Sequence, residues 1–184
     1  MFFTRIDRPW TGRLAAALGA ALFALAPLTL SAQEAEGDAG ASTPPQTFQD
    51  WQFRCEVPEG SDTERCAIFQ NIVVKENKQQ LLNFAVTMPQ ADQPPAGVLL
   101  LPLGISLPMG VELAVDDGEP VKLAVEHCVR IGCRVVFPLR DELLAQLKAG
   151  QEATVSFHDG ARRPLDIPVS LSGFTAAFNT LQEH

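Results

Sequence analysis

Trp51-Gln52-Phe53-Arg54-Cys55, followed after a polar stretch by Cys66-Ala67-Ile68-Phe69-Gln70-Asn71-Ile72-Val73-Val74, decides the fold of this chain. In the first run Trp51, Phe53 and Cys55 alternate with Gln52 and Arg54, the period-2 pattern of a strand with one buried face. The polar residues from Glu56 to Glu64 carry Pro58-Glu59-Gly60, a turn signal. The two runs are therefore expected to pair antiparallel, with Cys55 and Cys66 tied across the loop between them.

Short strands recur along the rest of the chain. Leu81 to Met88 predicts a third strand, and Pro89 to Pro95 a linker, because consecutive prolines cannot continue a ladder. Val98 to Ile105 and Val111 to Val115 are apolar runs. Asp116-Asp117-Gly118-Glu119 then predicts a hairpin turn, with Val121 to Val125 as the returning strand. Val135 to Phe137, Ala153 to Phe157 and Leu165 to Val169 complete the strands. Two helices are expected. Leu143, Leu144 and Leu147 form a stripe over Asp141 to Lys148, stopped at Gly150. Phe174, Ala177, Phe178 and Leu181 are at helical spacing behind Ser172, a candidate cap. The predicted fold is mainly β: a single-domain β-sandwich or partly closed barrel with two short helices.

The N-terminus has the three parts of a secretory signal over residues 1–32. Arg5, Arg8 and Arg13 are basic, residues 14–30 are apolar, and Ser31-Ala32 offers small residues for a cut. The apolar run is at the lower limit for crossing a bilayer, so no stable transmembrane segment is expected after cleavage. Residues 33–46, rich in Ala, Gly, Glu and Pro, predict a flexible acidic linker. The folded domain is then 47–184. The chain has 14 Lys+Arg against 22 Asp+Glu, a net charge of −8. Losing the leader, with three arginines and Asp7, makes the remainder more acidic. That balance argues against nucleic acid and anionic membrane surfaces as partners.

Four cysteines behind an export signal read as a disulfide framework in an oxidising compartment. Their spacing pairs Cys55 with Cys66 and Cys128 with Cys133. The second bridge closes a short loop and is expected to present Val129, Arg130, Ile131 and Gly132 as a rigid, possible partner-binding knuckle, with Gly132 easing the tight return.

In order along the chain, several pieces carry a family likeness: Trp51-Gln-Phe-Arg-Cys55; Cys66 with Gln70; Leu101-Pro102-Leu103-Gly104-Ile105 with Gly110-Val111; Cys128 with Gly132-Cys133; Leu143-Leu144 through Gly150; and Ser170-Leu171-Ser172-Gly173-Phe174. On these the chain resembles the invasion-associated locus B family of exported bacterial proteins. The resemblance implies a β-rich protein of Gram-negative bacteria that is periplasmic, secreted or associated with the outer surface. The family takes its name from a role in host-cell invasion by pathogenic members, and it supplies no catalytic motif to carry over.

The other candidate chemistries are weaker. Zinc at His127 and Cys128 fails on spacing, since ligand pairs usually stand two to four residues apart. A thioredoxin-like redox role lacks Cys-x-x-Cys. For a hydrolase, His127, His158 and His184 are the available bases; Ser170-Leu-Ser-Gly lacks the leading glycine of a nucleophile elbow, and His158-Asp159-Gly160 reads as a polar turn. Asp116, Asp117 and Glu119 lack the alternation of a calcium loop. Arg162-Arg163 reads as a solvated pair. The expectation is a non-enzymatic protein with no catalytic residues, cofactor or metal ligands, acting on an unknown protein or cell-surface partner. A periplasmic chaperone-like or stress-protective module is the alternative, and an envelope hydrolase the third.

Overall fold

A computed structural model of the chain describes residues 44–184, apart from 59, 77 and 90–92. The predicted leader 1–32 and most of the predicted linker 33–46 lie outside the described residues.

Among the described residues, eleven strands form two sheets. They are β1 Gln46–Phe48, β2 Trp51–Glu56, β3 Arg65–Val73, β4 Gln80–Thr87, β5 Ala96–Leu101, β6 Val111–Val115, β7 Val121–Leu123, β8 Val125–Val129, β9 Gly132–Pro138, β10 Glu152–His158 and β11 Pro164–Ser170. The larger sheet runs β1-β2-β3-β4-β5-β9-β8 and the smaller β11-β10-β6-β7, with every described pairing antiparallel. Neither sheet closes on itself, so of the two expected architectures the chain takes the sandwich.

The alternation read in β2 propagates across the larger sheet. Phe53 faces Ile68, Ile68 faces Val86, Val86 faces Gly97 and Gly97 faces Phe137. All five are buried, because a period-2 register locks one row of side chains to one face. Gly97 keeps that row open: a Cβ there would stand 2.6 Å from an edge carbon of the Phe137 ring. From the smaller sheet, Val111, Leu113, Ala153, Val155, Phe157 and Val169 join the same core.

Helix α1, Asp141–Ala149, buries Leu143 and Leu147. Helix α2, Phe174–Gln182, buries Phe174, Ala177, Phe178 and Leu181 and packs on β1, β2 and β3. Phe174 meets the Trp51 ring edge-on at 4.9 Å, and Trp51 meets Phe84 edge-on at 5.5 Å. Such contacts contribute about 0.5–1.5 kcal/mol each beyond the buried area.

Two expectations are corrected. Ser172 does not cap α2. The cap is Gly173, at φ 90° with no side-chain hydrogen bond, and a Cβ there would overlap the Phe48 carbonyl group. The Ser172 hydroxyl instead donates to Gln49 Oε1 at 2.6 Å. The strand expected over Val121 to Val125 divides at Ala124. β7 returns to β6 in the smaller sheet, and β8 crosses to β9 in the larger one.

Candidate functional site

Both disulfides join residues directly opposite each other on neighbouring strands. Cys55 and Cys66 are register partners of β2 and β3, with Cα atoms 4.0 Å apart. Cys128 and Cys133 are partners of β8 and β9, at 3.9 Å. No cysteine is free among the described residues. At sequence separations of 11 and 5, chain-entropy arguments assign about 3 and about 2 kcal/mol to the two bridges. Disulfides of this kind fit an extracytoplasmic protein.

The second bridge shapes the most exposed apolar feature among the described residues. Val129 pairs with Gly132, so the loop proper is two residues, Arg130 and Ile131. Ile131 is 75% exposed and Val129 49%. Arg130 is exposed, whereas Gly132 is buried and anchors the turn rather than presenting a surface. It sits at φ 146°, in a backbone region that favours glycine. A Cβ on it would strike the Leu101 carbonyl and come within 3.0 Å of Leu100. That close approach brings the end of β5 beside the turn. Leu103, two residues beyond β5, is 57% exposed.

The opposite end of β8 borders a second apolar feature. A 3₁₀ turn over Leu107–Met109 leaves Leu107 and Met109 exposed. It overhangs an open groove of about 450 Å³ floored by Val111, Leu123, Ala124 and Val125. The side of the sandwich where the chain crosses from β7 to β8 therefore carries exposed apolar groups at both ends of one edge strand. Charge along it is mixed: Arg134 lies 3.7 Å from Glu126, while Arg130 stands at the tip.

The remaining candidates are placed as follows. His127 is exposed with its Nδ1 3.8 Å from Glu126 Oε2, and its neighbour Cys128 is spent in a disulfide. The Asp116 carboxylate accepts the backbone N–H groups of Gln151, at 3.1 Å, and Glu152, at 3.0 Å. It holds the β6–β7 turn to β10. Ser170 Oγ donates to Asp50 Oδ2 at 2.7 Å, and its carbonyl accepts from Trp51 Nε1 at 2.8 Å and Gln70 Nε2 at 3.1 Å. The Ser170–Gly173 segment thus latches the end of β11 to β2 and β3. Asp159 accepts the backbone N–H groups of Arg163 and Ala161, both at 2.9 Å, and pairs with the Arg163 guanidinium at 2.6 Å. The Arg163 backbone bond, reinforced by its side chain, holds the Asp159 carboxyl below the usual carboxylate value. His158 buries an Nδ1 without a hydrogen-bond partner.

Sequence reasoning set aside one residue that the fold uses. His184 turns back after α2 to lie over the Phe53 ring, centroids 5.0 Å apart. That brings an imidazole nitrogen to the Cys55–Cys66 pair. No local pattern could have linked residues so far apart in the chain.

These features define a two-sheet sandwich stapled by cross-strand disulfides, with exposed apolar groups at both ends of β8. Comparison with known proteins agrees. The family model "Invasion associated locus B (IalB) protein" matches residues 51–182. Two Brucella abortus proteins, from strain 2308 and from biovar 1 strain 9-941, are each named an invasion protein B homolog. Each is 32% identical over 167 residues, covering 90% of this chain and 95% of its own length. A crystal structure of invasion associated protein b from Bartonella henselae superposes with a TM-score of 0.68 at 26% identity, covering 77% of this chain and 96% of that one. The chain belongs to the invasion associated locus B family.

Proposed function

We propose that the protein is an exported, non-catalytic member of this family, periplasmic or secreted, that binds a protein or a cell surface. The apolar side around β8 is the contact surface. The observation that carries this is Ile131, three-quarters exposed on a two-residue turn closed by a disulfide. Exposed apolar groups flanking one strand, as Val129, Ile131, Leu107 and Met109 flank β8, mark interaction surfaces more often than isolated ones do. A stapled turn has little conformational freedom left to lose on binding, which favours affinity. The names of the Brucella and Bartonella relatives support invasion as the setting in which such binding acts. Ser170 and Ser172, the candidate nucleophiles, are engaged with Asp50 and Gln49, which favours binding over hydrolysis.

The test is crosslinking and capture from native envelope, comparing the wild-type protein with Ile131→Asp. A charge at a desolvated contact is expected to weaken capture by at least about tenfold, the loss of a single anchor side chain. Because Ile131 lies outside the core, the thermal midpoint should not move. Undiminished capture by Ile131→Asp refutes the assigned surface. Recovery of many unfolded clients rather than one stoichiometric partner would favour the chaperone-like alternative.

A further inference from the structure

We infer that Cys55, Cys66 and His184 form a soft-metal site, of the kind that takes zinc, which the disulfide closes and a dithiol reductant opens. The inference is independent of the surface proposed above and departs from the sequence expectation of no metal ligands. Among the described residues this trio is the group of potential ligands gathered closely enough to hold an ion. The two Sγ atoms and an imidazole nitrogen all lie within 4.8 Å of one another.

The fold builds this cluster from three distant pieces. Cys55 and Cys66 are directly opposed on β2 and β3, so both sulfurs leave the sheet on the same face. Phe53, two residues along the strand from Cys55, projects from that face too, and its ring seats the imidazole of His184. The end of α2 is fixed in turn by Leu181, 1% exposed in the core. The histidine is thus held by packing rather than by proximity in sequence.

The chemistry balances simply. A dithiol gives two electrons and two protons to the Cys55–Cys66 bond, leaves as its own disulfide, and yields two thiols. Zinc then displaces both thiol protons, forming two Zn–S bonds of about 2.3 Å and one Zn–N bond of about 2.0 Å. Tetrahedral bonds of that length place two sulfurs about 3.8 Å apart. Opposed cysteines with Cα atoms 4.0 Å apart reach that separation by side-chain rotation alone. Cys55 is buried, Cys66 half-buried and His184 exposed, so the fourth position faces solvent. Two thiolates and one imidazole select zinc over calcium or magnesium, which require oxygen ligands.

The purified full chain is titrated with Zn²⁺ against a chromophoric chelator, before and after reduction with a phosphine, and each sample is melted. The oxidised protein should bind no stoichiometric zinc. The reduced protein should bind one ion per chain, with a thermal midpoint that rises with zinc concentration. Co²⁺ in its place should give thiolate-to-metal absorption in the near ultraviolet. His184→Ala should weaken zinc binding by more than about tenfold, the least that loss of an outer-shell partner costs. The double replacement Cys128→Ser with Cys133→Ser, which leaves the trio intact, should retain the site. Equal affinity in the oxidised and reduced forms overturns the inference. So do the absence of a zinc-dependent midpoint after reduction, an unaffected His184→Ala, and loss of binding in the Cys128/Cys133 variant.

Discussion

The Ser170 carbonyl, at the end of β11, accepts hydrogen bonds from two donors on the other sheet: Trp51 Nε1 at 2.8 Å and Gln70 Nε2 at 3.1 Å. Either donor alone satisfies that oxygen, so the two replacements should be strongly non-additive. Gln70→Met removes one bond and leaves the other, at a cost of about 0.5–1.5 kcal/mol. Trp51→Phe also loses one bond of about 1 kcal/mol. It shrinks a fully buried ring wedged between Phe84 and Phe174, adding about 1–2 kcal/mol for the lost volume. Only the double variant strips this half-buried oxygen of both donors, and an unsatisfied acceptor costs about 1–3 kcal/mol when buried, less where water reaches it. The double variant should therefore be about 1–2 kcal/mol less stable than the sum of the singles. Urea unfolding of the four proteins, read as midpoint shifts at constant slope, measures the coupling. Additivity to within about 0.5 kcal/mol would refute the shared-acceptor account of how the two sheets are latched.

Gly97→Val should destabilise the fold by about 1–3 kcal/mol through overpacking, since the new side chain enters the Phe137 ring. A second change, Phe137→Leu, should recover part of the lost thermal midpoint. Asp159 has its carboxyl held below the ordinary value by Arg163, so its contribution is present above the unfolded-state value and is lost as pH falls through the lowered folded one. Asp159→Asn should abolish that acid-side loss and speed amide exchange of Ala161 and Arg163, measured by NMR across the acid range.

Strand existence was legible wherever burial is one-sided, because alternation is a local signal. Trp51, Phe53 and Cys55 announced β2, and the register of β3, β4, β5 and β9 followed the same parity. Helix α1 was equally readable from its leucine stripe and Gly150. What escaped notice depended on partners distant in sequence. Nothing at Ala124 signals a change of sheet: no glycine, proline or polar cluster interrupts the run from Val121 to Val125. Ser172 looks like a helix cap, but Phe48 and Gln49 press on the junction closely enough that Gly173 must take the position and Ser172 bonds to Gln49. The knuckle was legible as a short closed loop. Its division into an exposed tip and a buried Gly132 depended on Leu100 and Leu101, contacts that no spacing rule supplies.

The binding proposed for this sandwich is constrained by its four edges. A bare edge strand invites pairing with another chain, yet each edge here is blunted. β1 and β7 are three residues long, too short to template a ladder. β11 carries Pro164 and Pro168, which lack backbone donors. β8 is bulged between Val125 and His127 and exposes Glu126 and His127, features that twist and charge an edge away from pairing. Strand addition is therefore disfavoured at every edge, and the binding proposed above falls to side chains. Around β8 the backbone is protected while Val129, Ile131, Leu103, Leu107 and Met109 are left out. An edge defended against indiscriminate pairing but flanked by apolar side chains suits selective docking. The Cys128–Cys133 bridge serves both ends at once, holding β8 on the sheet and fixing the tip that β8 delivers.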